Sequence, residues 1–150
     1  MEVNPQELIQ ILKDKITLYE HLGIEVKEIS SSRVHFRVSL DKSKNHKGTA
    51  FGGSLYASAV LAAYALALAG LKQRGLDTEN IVIAKGEIQY LRPVETDFDI
   101  VSEFPSEDDE EAFYQELLSK KRVRGKIRSQ ILGDGGSLKA SLVGDFVVKL

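Results

Sequence analysis

From Ser54 to Leu71 the chain carries no charged residue, and Gly52-Gly53 stands immediately before that run. An alanine-rich helix without a polar face has to be buried almost all round, so the rest of the chain must supply the layer that covers it. Its alanines let that layer approach closely. The first amides of such a helix have no intrahelical partner and point outward, at the positive end of the helix dipole. Glycines there let a ligand come close, which suits a carbonyl oxygen about to gain negative charge. The plainer reading of Gly52-Gly53 is a tight entry to a helix. The run is also just long enough for a membrane span. Its alanine content, its interruption by Tyr56, Ser58 and Tyr64, and the amphipathic strands around it argue against one.

Those strands read from their alternation. Ile24–Ile29 predicts a short strand, and Val34, Phe36, Val38 and Leu40 a second with one buried face. In Ile81–Leu91, Val82, Ala84, Gly86, Ile88 and Tyr90 fall on one face, read as the side toward the helix. Ile81, Ile83 and Leu91 fall on the other. Phe98–Phe104, Val123–Ile131 and Leu138–Val148 complete about six strands, with a hairpin turn at Gly133–Gly136. The basic row Arg122, Arg124, Lys126 and Arg128 is expected to face the acidic row Asp97, Asp99 and Glu103 across neighbouring strands. Before the strands, Asn4 as N-cap and Pro5 at the first position open a helix over about 4–22. The central helix covers about 54–73, and a short helix starts in the acidic stretch at Glu107. The class is α+β: one domain over 1–150, a curved antiparallel sheet wrapped around a central helix.

Composition excludes several functions. A net charge of −2 argues against nucleic acid as a partner. Without cysteine there is no thiol nucleophile and no cysteine zinc site, and His21, His35 and His46 lack ligand spacing, so no metal is expected. The start of the chain has neither the basic nor the apolar part of a signal peptide, and a cytoplasmic protein is expected.

The string Asn45-His46-Lys47-Gly48-Thr49-Ala50-Phe51-Gly52-Gly53-Ser54-Leu55-Tyr56, followed by the apolar helix, resembles the hotdog-fold acyl thioesterases. It is similar in particular to the branch known as the YiiD C-terminal type. So are Ile83-Ala84-Lys85, Ile88-Gln89-Tyr90-Leu91-Arg92-Pro93 and the ending Gly144-Asp145-Phe146-Val147. The resemblance implies a hotdog fold, a homodimer or dimer of dimers, and an acyl thioester substrate carried on coenzyme A or on acyl-carrier pantetheine. It implies no separate cofactor. It also implies that the Gly53 amide, with Ser54 beside it, polarises the thioester, and that Asn45 orients water or substrate. The alternative for Asn45 is a residue that only stabilises its loop. Gly48, Thr49, Phe51 and Gly52 belong to the same binding loop, with His46 and Lys47 placed for phosphate or pantetheine.

One part of the family pattern is missing. The acid expected seven residues after the second glycine is Val60, and the glutamate that hotdog dehydratases place fourteen residues after a histidine again falls on Val60, counted from His46. Tyr56 and Tyr64 flank Val60 on the helix and are candidates for binding substrate, against a reading as core aromatics. Lys85 and Glu87 share one face of their strand; Glu87 is the expected replacement base and Lys85 a phosphate ligand or its partner, against a surface salt bridge. Two functions stay open, a thioester hydrolase and a non-catalytic acyl-thioester binding module. A dehydratase or hydratase fits less well with valine at 60.

Overall fold

The computed structural model describes residues 4–150, so the start of the chain at Met1–Val3, read against a signal peptide, lies outside the described residues. Helix α1 runs Pro5–Lys15, capped by the Asn4 side chain, which accepts from the Gln6 amide at 3.0 Å. It is shorter than the helix expected over 4–22. Ile16 is extended, and Thr17–His21 continues as a 3-10 turn. Three residues per turn put Tyr19 and Leu22 on one side, and both are buried.

The strands are β1 (Ile24–Ile29), β2 (Val34–Val38), β3 (Ile81–Tyr90), β4 (Phe98–Glu103), β5 (Arg122–Leu132) and β6 (Leu138–Lys149). All pair antiparallel, in the order β1-β2-β4-β5-β6-β3. Helix α2 (Gly52–Gln73) lies in the concave face, and α3 (Glu107–Lys120) joins β4 to β5. This is the hotdog arrangement that the motifs implied.

Helix α2 is long and apolar enough to cross a membrane, yet 72% of its apolar window is buried inside the fold. Ala59, Ala62, Ala63, Ala65 and Ala67 are fully buried, and the sheet lies against them. Ser129 on β5 donates to the Ala59 carbonyl at 2.8 Å, tying the middle of the helix to the sheet. The helix is not buried all round, because Tyr56, Ala57, Val60 and Tyr64 form a half-buried stripe.

Two expectations about faces need correction. Between Ile83 and Lys85 the β3–β6 register slips, so Ala84 is a bulge. One extra residue reverses the alternation. Ile81 is buried and Ile83 packs on the core, whereas Val82 is 58% exposed; beyond the bulge Gly86 and Ile88 turn inward. Ile81 and Ile83 therefore do not form an outward apolar face. The inward position 86 suits glycine, since a Cβ there would lie 2.0 Å from the Tyr56 hydroxyl and push that side chain aside. The charged rows also pair differently. Arg124 and Lys126 both bond Asp145 on β6 at 2.9 Å, and of the acidic row only Glu103 stands opposite a basic residue of β5, Arg128.

Asp99 instead receives hydrogen bonds from His35 at 2.7 Å and Arg37 at 2.8 Å on β2. Burial pushes its carboxyl upward, but these bonds outweigh burial and hold its pKa below the ordinary value. The stabilisation from Asp99 is therefore complete above the unfolded value of about 3.9. It disappears as pH falls through the lower folded value. Asp99→Asn is expected to cost about 1 kcal/mol at neutral pH. Urea titrations at stepped pH should show that cost shrinking toward pH 3.

Candidate functional site

The loop before α2 is organised by Asn45. Its Oδ1 accepts from the amides of Lys47 at 2.8 Å and Thr49 at 3.2 Å, and its Nδ2 donates to Thr49 Oγ1 at 2.8 Å. Gly48 closes the turn with φ +80°, a conformation L side chains rarely adopt. The Ala50 amide donates to the Val94 carbonyl at 2.9 Å, and the Phe51 amide to that of Ser43 at 2.6 Å. The chain is thus delivered into α2 on a fixed path. Asn45 does the loop-stabilising work directly, and one Nδ2 hydrogen remains beyond these bonds.

Helix α2 then opens with free donors. The Ser54 and Leu55 amides both bond the Phe51 carbonyl, at 3.0 and 3.1 Å. Ser54 therefore does not share the free-donor role expected beside Gly53. Among the described residues, no acceptor faces the Gly52 and Gly53 amides. No acidic residue lies in the first turn, and Phe51 contributes no side-chain cap, so the positive end of the dipole is uncompensated. These amides border a cleft of about 580 Å³ that Asn45, Lys47, Thr49, Tyr90 and Arg92 also line. Phe51 is 57% exposed, with its ring against Gly53. His46 is exposed and does not line the cleft.

Farther along the same helix, Val60 lies in a second cleft of about 240 Å³. Tyr56, Ala57 and Tyr64 form one side, and Ile16, Leu18 and Leu22 the other. Burial first, and then Glu79, raises the Tyr64 pKa, so this phenol is no general base at neutral pH. Ser58 does not line this cleft; it is fully buried and has no hydrogen-bond partner among the described residues.

Lys85 and Glu87 stand together but apart from both clefts. They form an exposed ion pair at 3.0 Å on the strand face opposite Gly86. Within one chain the structure does not bring Glu87 to the Gly53 amide, because the face of β3 that meets α2 carries Gly86 and Ile88. Among the described residues neither cleft is lined by a carboxylate. Among the described residues no three of His, Asp and Glu come together as metal ligands. Two cleft residues, Tyr90 and Arg92, had no assigned role from sequence. The only signal for them was their place in the string Ile88–Pro93.

A family model described as "Putative thioesterase (yiiD_Cterm)" matches residues 5–150. The chain belongs to this thioesterase family. Solved structures agree on the fold. A protein of unknown function from Chlorobaculum tepidum TLS superposes with TM-score 0.87 at 22% identity, covering 96% of this chain and 93% of that one. A "putative thioesterase" from Shewanella oneidensis gives 0.83 at 22% identity, with 97% and 96% covered. A "Probable Thioesterase" from Pseudomonas aeruginosa gives 0.79 at 16%, with 98% and 97% covered. No curated protein matches the chain. In this member of the family, the helix position where related hotdog thioesterases carry an acid belongs to an apolar cleft.

Proposed function

We propose that the chain hydrolyses an acyl thioester carried on coenzyme A or acyl-carrier pantetheine, working as a homodimer. The unpartnered Gly52 and Gly53 amides beside the Asn45 loop carry this reading. The thioester oxygen accepts from the Gly53 N–H as water forms a C–O bond to the carbonyl carbon; collapse of the adduct breaks the C–S bond and releases the carboxylate, with one of the water's protons leaving on the thiol and the other passing to solvent. The remaining Nδ2 hydrogen of Asn45 is a second donor at the cleft. The apolar cleft at Val60 suits the acyl tail, between Tyr56 and Tyr64. Lys47 and Arg92 at the other cleft take part in no ion pair among the described residues, and suit the carrier's phosphates. Dimerisation is supported by β3, which among the described residues pairs with β6 alone and has its other edge unpaired, next to exposed Tyr90 and Leu91. Lys85 and Glu87, on the outer face, are left to a surface role.

That no described residue brings a carboxylate into either cleft favours a second reading, a module that binds acyl thioesters without cleaving them. Thiol release from short, medium, long and aryl coenzyme A thioesters separates the two readings. Hydrolysis of any member supports the enzyme. Ligand-induced thermal stabilisation across the panel with no thiol release establishes the binding module. A monomer by light scattering at micromolar concentration removes the dimer from the proposal.

A further inference from the structure

Tyr90 ends β3, and its hydroxyl donates to the Gly52 carbonyl at 2.8 Å, joining positions 38 residues apart. Its ring lies on Gly52, where a Cβ would sit 3.3 Å from Tyr90 Cζ. The Gly52 carbonyl and the Gly53 N–H are two ends of one peptide group. That group is planar and trans, so the two bonds point in opposite directions in a single plane. Whatever holds the carbonyl therefore aims the N–H. As the first residue of α2, Gly52 also offers this carbonyl to the helix's own bond from the Tyr56 amide. Both residues of the peptide are glycine, and among the described residues the Tyr90 hydroxyl is the one side-chain group that holds it. A hydrogen bond to a carbonyl also polarises its amide and strengthens the N–H as a donor.

We propose that Tyr90 is a positioning residue, which through the Gly52–Gly53 peptide aims and strengthens the N–H that receives the thioester oxyanion. This rests on the thioester-hydrolysis reading above. Tyr90 itself touches no reacting atom. It makes the donor rigid before the reaction, the condition under which such a donor stabilises developing charge best. Burial, and then the neighbouring Tyr56, raise the Tyr90 pKa above its ordinary value, so the hydroxyl stays a donor across the neutral range.

Tyr90→Phe keeps the ring on Gly52 and removes only the hydroxyl. It is expected to lower kcat about tenfold with KM moved less than about twofold. The pH profile of kcat should keep its shape, because Tyr90 does not titrate in the reaction. In amide NMR spectra of the same variant, the Gly53 resonance should move while those of Leu66 to Leu71, at the far end of α2, stay in place. A wild-type kcat in Tyr90→Phe, or an unmoved Gly53 resonance, overturns the proposal. If the wild-type protein hydrolyses no thioester of the panel, the enzyme reading falls and takes this role with it. If the wild type turns over and Tyr90→Phe matches it, only the role of Tyr90 falls.

Discussion

Gly53→Pro is expected to slow thioester turnover about 100- to 1,000-fold, the usual cost of deleting one oxyanion donor. Proline has no N–H, and its fixed φ suits the first turn of a helix, where the amide lacks an intrahelical partner anyway. Gly52, lacking a Cβ, relieves part of the clash that proline makes with the residue before it. The new side chain does meet the Phe51 ring, since a Cβ at 53 lies 2.6 Å from Phe51 Cε2. Phe51 is exposed and free to swing away. Gly53→Ala displaces the same ring and adds a Cβ at the cleft but keeps the N–H, so it measures those two effects, and Gly53→Pro should fall well below it. Both variants should melt close to the wild type. Equal kcat in Gly53→Pro and wild type would exclude this amide from the reaction.

Gly70→Ala tests the other end of α2 and should be the most damaging small substitution in the fold. A Cβ at 70 would lie 1.9 Å from the Tyr114 hydroxyl and 2.4 Å from Cζ. Tyr114 is 1% exposed and cannot yield easily. Phe104 and Phe113 pack against its ring, Arg74 lies 3.8 Å above it, and its hydroxyl donates to the Ala67 carbonyl at 3.2 Å. Overpacking costs about 1–3 kcal/mol, occasionally more. Losing the buried hydrogen bond adds about 1 kcal/mol. Alanine's better helix propensity returns up to about 1 kcal/mol. A net loss of about 2–3 kcal/mol is expected in denaturant titrations. Adding Tyr114→Phe removes the oxygen nearest the new methyl, so the double variant should be more stable than the sum of the single costs implies.

Much of this architecture follows from local rules. The uncharged, alanine-rich run at Ser54–Leu71, set among amphipathic strands, reads as a buried helix, and alternation within each strand marks which residues share a face. Asn4 caps α1 through a bond from the Gln6 amide, two positions away, and Pro5 follows it at the first helical position. The Asn45 loop is equally local, since all its side-chain bonds fall within four residues. These features are legible because the interacting groups are neighbours in the chain.

Other features depend on partners far away in sequence. Alternation placed Lys85 and Glu87 on the face away from the helix, and they lie there; Ile81 and Ile83, read onto that same face, turn inward because of the Ala84 bulge, and a bulge exists only in relation to the paired strand, here β6. Asp99 was assigned to basic residues of β5, yet β2 comes to its other side and supplies His35 and Arg37. Tyr90 looked like one more apolar strand residue until the fold set its hydroxyl on the Gly52 carbonyl. The order of residues is enough to read the helix, the strands, the Asn45 loop and a valine at position 60. What faces Gly53 follows from the fold alone, because periodicity constrains the directions of side chains within an element, whereas cross-strand register and helix–sheet packing set what those side chains meet.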